Sequence, residues 1–144
     1  MRNLTTIIGA IIMVNVSQSV YCEPQWTAEQ VISAIANKES SDTDIVQHPD
    51  GVSFKKYGLT EVAVREAHNC GKLSWFKHPR DMNDAEQLEA ALAYLSLMKE
   101  RFHCPSWVMA SGYYHRSNDL EKDQAARMAY SNSIRSRLER NHPA

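Results

Sequence analysis

From Thr27 to Ser40 the chain reads Thr-Ala-Glu-Gln-Val-Ile-Ser-Ala-Ile-Ala-Asn-Lys-Glu-Ser. Ile32, Ile35 and Ala36 recur at the three- and four-residue steps that place side chains on one side of a helix. Thr27 and Gln30 form a capping-box pair at its start, and the pattern runs out near Glu39. Ser40 to Tyr57 is rich in Ser, Asp, His, Pro and Gly and lacks helical periodicity, which predicts a loop with room for a short turn or hairpin. A second helix is predicted over Thr60 to Asn69, with Gly71 placed to close it. Lys72 to Arg80, carrying Trp75, Phe76 and Pro79, is irregular again.

The strongest helical pattern follows. Asp84 is the expected cap with Gln87 three residues on, and Leu88, Ala91, Leu92, Leu95, Met98 and Phe102 make the apolar face. Cys104-Pro105 ends that helix, and Ser106 caps a short fourth one through Trp107, Ala110, Ser111 and Tyr114 that is expected to be largely buried. The last helix, about Asp119 to Arg140, repeats Ala126, Tyr130, Ile134 and Leu138 at every fourth position. No apolar–polar alternation is long enough for a substantial sheet, so the expected class is mostly α with a minimal or absent β element.

The start of the chain differs in kind. Met1-Arg2-Asn3 is a short positive opening, Leu4 to Val16 is nearly uncharged, and Ser17 and Ser19 are small residues suited to a cut after Ser19. These are the three parts of a secretory signal peptide. The apolar run falls short of the ~20 residues of a membrane span. The expectation is therefore a signal over residues 1–19, cleaved near Ser19 to Cys22, and a single exported domain over 20–144. A lipoprotein cut before Cys22 is disfavoured by the bulky Tyr21.

Composition narrows the classes further. The chain has 144 residues, a formal net charge of −1, 43% hydrophobic and 23% charged residues. That suits one domain of ~100–150 residues around one core and gives no electrostatic case for nucleic-acid binding. Arg127, Arg135, Arg137 and Arg140 are expected to form the solvated face of the last helix. In an oxidising compartment Cys70 and Cys104, both near predicted helix ends, are the favoured disulfide, a link worth ~3–4 kcal/mol by chain entropy, with Cys22 left over. His68, Cys70, His103 and Cys104 have the residue types for zinc, but His103 and Cys104 are adjacent and such neighbours rarely point the same way. No metal and no cofactor is expected.

Glu39 carries the candidate chemistry. It continues the Ile32–Ile35 face into the last turn of the first helix, where another apolar residue would fit the pattern. A carboxyl on a buried stripe is costly unless its surroundings use it, and partial burial favours the protonated form that a general acid needs. The plain alternative is a helix-end Glu turned to solvent or paired with Lys38.

Three further segments make a pattern with Glu39-Ser40: Tyr57-Gly58-Leu59-Thr60-Glu61, then Gln87-Leu88 with Ala91 and Tyr94-Leu95, then Ala110-Ser111-Gly112-Tyr113-Tyr114-His115. In that order the chain, from about Trp26 to Leu138, resembles the soluble lytic transglycosylase-like domain of the lysozyme superfamily, glycoside hydrolase family 23 type. The family carries Glu-Ser at a helix end, Gly-Leu-Met-Gln, Asn-Ile-x-x-Gly-x-x-Tyr-Leu and Ala-Tyr-Asn. Glu61 stands here for the family's Gln, Gln87 for Asn and Ala91 for Gly. In the last motif Tyr113 or Tyr114 supplies the aromatic and the Asn is missing; Tyr-Tyr-His resembles the Tyr-Tyr-Ser form of secretion-system transglycosylases.

The resemblance implies a lysozyme-like α+β fold and cleavage of the MurNAc-GlcNAc β-1,4 bond of peptidoglycan glycan strands, ending in 1,6-anhydro-MurNAc. Glu39 is then the general acid and base, with Ser40, Glu61, Tyr113 and Tyr114 as substrate-side residues. Each of these four has an ordinary structural alternative: a helix-end Ser, a first-turn acid after Thr60, and two core aromatics. Trp75 and Phe76 are candidate sugar platforms, and Trp107 reads as core. The implied setting is periplasmic or extracellular, beside a secretion, conjugation, pilus or phage assembly, without an integral membrane span once the signal is removed. Two rivals stand beside this reading. One is a lysozyme-type hydrolase using Glu39 and a second carboxylate, from Glu61, Asp42 or Asp44. The other is a non-catalytic wall-binding module that keeps the fold.

Overall fold

The computed structural model describes residues 24–41, 44–117 and 119–143. The expected signal segment, Cys22 and Asp42 lie outside these residues. Helix α1, Ala28–Ser40, opens on the expected capping box: Gln30 N donates to Thr27 Oγ1 at 3.1 Å and Thr27 N to Gln30 Oε1 at 2.9 Å. Such a cap is worth ~1 kcal/mol. The helix stops where Ser41 takes a left-handed φ of 48° and its N–H returns to the Asn37 carbonyl. Val31, Ile32, Ala34, Ile35 and Ala36 are buried.

The polar loop does contain a small β element. Strands β1, Ser53–Phe54, and β2, Leu59–Thr60, pair antiparallel with Ser53 opposite Thr60 and Phe54 opposite Leu59. Thr60 then caps helix α2, Glu61–Asn69, accepting from Ala63 N at 3.0 Å. Gly71, at φ 77°, closes α2 as expected, letting Lys72 N reach the Ala67 carbonyl at 2.9 Å. A 3₁₀ turn at Pro79–Asp81 leads to helix α3, Asp84–Arg101.

The cap of α3 is Asn83, not Asp84, and Glu86 completes the box, with Glu86 N to Asn83 Oδ1 at 2.8 Å. Both registers begin with a good cap residue. Gln87 favours the observed one, because it is buried and donates to the Met82 carbonyl at 3.3 Å. The apolar face is also wider than the expected stripe. Ala90, Ala93, Tyr94 and Leu97 are buried with Ala91, Leu95 and Met98, whereas Leu88 is 39% exposed. Three helices explain this, since α3 is packed by α1, α2 and α4, and a central helix has little wet surface.

Helix α4, Trp107–His115, is capped by Ser106, whose Oγ accepts from Met109 N at 3.1 Å. Helix α5 spans Gln124–Asn141 and starts later than the periodicity predicts. Arg127 accounts for the difference. It is 6% exposed, and its guanidinium donates to the carbonyls of Asp119 (3.0 Å), Arg116 (3.5 Å) and Leu120. The Asp119 and Leu120 carbonyls turn to that buried charge, and the helix begins beyond them. The expectation of a solvated Arg127 is therefore corrected. Arg135 and Arg137 are half-buried as well, leaving Arg140 as the exposed member of the group.

α4 and α5 meet closely at Gly112, where a Cβ would stand 2.7 Å from Ser131 Oγ and 2.8 Å from the Arg127 carbonyl oxygen. Among the described residues the protein is thus mostly helical, with one small hairpin. Among the described residues no helix is long and apolar enough to cross a membrane.

Candidate active site

The last turn of α1 carries Glu39 to the floor of a cleft of about 390 Å³ between the hairpin, α2 and the end of α4. The side chain is half-buried, as a continuation of the Ile32–Ile35 face requires. Two neighbours fix it. Tyr130, buried on α5, donates its hydroxyl to Glu39 Oε1 at 2.7 Å. Gly58, on the hairpin, leaves room for the other oxygen: a Cβ there would lie 3.1 Å from Oε2 and 3.3 Å from Cδ. Gly58 also adopts φ 60°, a conformation that L side chains take only with strain. The same residue thereby turns the chain and makes space for the carboxyl.

The tyrosines around the acid keep their protons. Burial first, then the negative charge of Glu39, drives the Tyr130 hydroxyl far above the usual tyrosine range, so it serves as a donor. Tyr114 is raised well above that range by the same two causes. Its hydroxyl donates to the Tyr57 carbonyl at 2.8 Å, tying α4 to the hairpin. Tyr94 packs edge-on against Tyr114 at 5.4 Å, and its hydroxyl meets Ser117 Oγ at 3.3 Å. Tyr94 and Tyr114 both line the cleft.

Other expected site residues are placed elsewhere. Ser40 is buried, and its hydroxyl donates back to the Ala36 carbonyl at 2.7 Å; it borders a separate groove of about 560 Å³ with Asp44, Lys55 and Lys56. Glu61 is exposed in the first turn of α2, paired with Arg65 at 2.8 Å and with His78 at 3.8 Å. Tyr113 turns away from Glu39, stacked on Phe102 at 4.1 Å with Arg127 over its ring at 4.9 Å. Its neighbour Tyr114 is the one that reaches the cleft. Trp75 packs on the core, Phe76 lies under Arg65 at 4.4 Å, and neither is in the cleft lining. Trp107 is partly buried against the core, as expected, with Lys99 over its ring at 5.1 Å.

The expected Cys70–Cys104 bridge is corrected: both thiols are free. Cys70 is exposed beside Arg101, 3.5 Å from Nη2, whereas Cys104 is buried, so the two sulfurs occupy different surroundings. Among the described residues no group of three or more His, Cys, Asp or Glu side chains is arranged to hold a metal ion.

Several site residues escape a reading of the sequence. Tyr130 sits on the four-residue repeat of α5 and looks like core there; its hydroxyl is the one polar atom on that stripe and is the available signal. His115 lines the cleft and stacks on Tyr130. Asp50 and Glu66 add two carboxylates to the lining, but both are engaged. Asp50 accepts from Val52 N (2.9 Å), Ser53 N (2.8 Å) and the Ser53 hydroxyl. The Ser53 hydroxyl, foremost among those donors, holds its carboxyl below the usual range. Glu66 pairs with Arg101 at 2.8 Å.

The arrangement can transfer one proton. Of the three carboxyls in the lining, Glu39 is the one at a helix end and oriented by a permanent hydroxyl donor, while Asp50 and Glu66 are held by the Ser53 turn and by Arg101. No protein-family model, no curated protein and no solved structure matches this chain.

Proposed function

We propose that this protein is a peptidoglycan lytic transglycosylase with a lysozyme-like fold, exported from the cell, with Glu39 as its general acid and base. The observation that carries the reading is Glu39 itself. It lies in the cleft at the end of a helix, fixed by the Tyr130 hydroxyl at 2.7 Å and set against Gly58. The resemblance of Glu39-Ser40, Gly58-Leu59, Tyr94-Leu95 and Tyr113-Tyr114 to the transglycosylase motifs supports the same assignment.

In the first step protonated Glu39 gives its proton to the glycosidic oxygen as the bond to the anomeric carbon breaks. The oxocarbenium-like centre is stabilised by the sugar's own acetamido group, so no protein nucleophile is required. Glu39, now a carboxylate accepting from Tyr130, removes the proton of the muramic 6-hydroxyl. That oxygen closes on the anomeric carbon to form the 1,6-anhydro ring. The acid is regenerated and no water is consumed. Tyr114 and Tyr94 shape the wall along which the glycan lies.

Asp50 and Glu66 give specific support to a second reading, a hydrolase in which one of them activates water. Their engagement, with the Ser53 turn and with Arg101, argues for the transglycosylase. Mass spectrometry of digested peptidoglycan separates the two. The expected muropeptides end in 1,6-anhydro-MurNAc; reducing MurNAc ends with the added mass of water would establish the hydrolase instead. Binding to walls with no cleavage by the wild type would leave a non-catalytic module.

A further inference from the structure

His115 stands where two cavities meet. It and Glu39 both line the main cleft, and both line an adjoining groove of about 380 Å³ between α1 and α5, with Lys38 and Tyr130. The imidazole lies flat on the Tyr130 ring, with centroids 4.2 Å apart and planes within 10°. That same tyrosine holds Glu39 Oε1 at 2.7 Å. A three-part chain therefore runs from α4 through α5 to α1, with a titratable ring at one end and the acid at the other.

We propose that His115 is a positioning residue for Glu39, bracing the tyrosine that holds the acid and, by its own protonation, setting the acidic limit of activity. The proposal rests on the transglycosylase reading for its activity and on the geometry alone for the coupling.

The groups facing His115 determine the direction. From α1 come Lys38 and Glu39, from the end of α4 comes Arg116, and from the head of α5 come Asp123 and the uncharged Tyr130. Lys38 is itself anchored, with Nζ 3.1 Å from Ser133 Oγ and 5.3 Å from the Tyr130 ring centroid. Burial, then the positive Arg116, holds the imidazole below the usual histidine range, while Glu39 pulls the other way. His115 is accordingly neutral at neutral pH and gains its charge only as the medium turns acidic. The charge that His115 then gains lies over the ring that holds Glu39 and in the same cleft lining, where it disturbs how the acid is held. Activity then declines on the acid side as His115 charges. The neutral ring above that point leaves the stack intact and the acid usable.

Two measurements test this. The first follows the His115 imidazole resonance by NMR against pH, assigned by its loss in His115→Phe, in wild type and in Glu39→Gln. Removing the carboxylate is expected to move the His115 midpoint to lower pH, and an unmoved midpoint overturns the coupling. This readout stands even if the protein cleaves no wall material, an outcome that would remove the transglycosylase reading but not the coupling. The second records turnover on purified peptidoglycan against pH. His115→Phe keeps a flat ring on Tyr130 and removes the charge, so its acid limb is expected to extend to lower pH. His115→Ala removes the brace and is expected to lose about tenfold in turnover across the range, as misplaced catalytic groups do. A His115→Phe profile superimposed on that of wild type overturns the assignment.

Discussion

Helix α5 carries two buried polar side chains three residues apart, and they are treated in opposite ways. Arg127 is held within the protein: three carbonyls accept from its guanidinium, the Tyr113 ring covers one face, and it borders none of the cavities described. Tyr130 spends its hydroxyl on one carboxylate oxygen, and the remainder of that carboxyl faces a cleft. The first arrangement spends its charge on internal carbonyls and offers none of it to a cleft. The second places an ionisable group in contact with neighbours and also with an open cleft, which is the mark of a working group. Burial alone does not separate the two; what separates them is whether the group they hold opens onto a cleft.

Substitutions can break that contrast, and the largest effect is expected at Glu39. Glu39→Gln keeps shape and removes the proton, so cleavage of purified walls should fall by about 10²–10⁴-fold, with the thermal midpoint nearly unchanged. Equal wall-clearing rates for the two proteins would show that Glu39 is not the acid. Arg127→Met should lose about 2–3 kcal/mol in denaturant titration, since three carbonyls lose a charged donor. Its turnover per folded molecule should stay near that of wild type, and a specific loss of turnover would erase the distinction between the two residues.

Gly112→Ala tests the packing that holds both groups on α5. Its new methyl has 2.7 Å and 2.8 Å where a contact needs more, and the cost should be ~2 kcal/mol in the same titration. Tyr130→Phe sharpens the contrast from the other side. Loss of its hydroxyl should cost only ~1 kcal/mol of stability yet lower turnover about tenfold. A stability loss without a turnover loss would make Tyr130 another Arg127.

Local chemistry was readable where the decisive partners are close in sequence. The Thr27–Gln30 box, the Thr60 and Ser106 caps and the Gly71 closure all depend on atoms within a few residues, and all are found. The α3 cap slid by one position because Asn83 and Asp84 are equally good caps and the tie is broken by Gln87 packing under Met82. The late start of α5 was invisible because periodicity does not reveal that Arg127 turns inward to take the preceding carbonyls. Of the candidate site, the interruption of an apolar stripe by Glu39 was legible. Its partners were not, since Tyr130 lies far along the chain and its hydroxyl hides in a regular repeat. Between Tyr113 and Tyr114 only the rotation of α4 decides which ring faces the cleft.

Gly58 has a consequence for how the acid can be disarmed. Its missing methyl is the space beside Glu39 Oε2, and its φ of 60° belongs to the turn. Gly58→Ala would crowd the carboxyl by a few tenths of an ångström while leaving every titratable group in the sequence. Replacing Glu39 asks what the acid is; filling position 58 asks where it must stand. A protein with its full complement of charges and a displaced acid would separate chemical identity from location while leaving Glu39 itself in the chain.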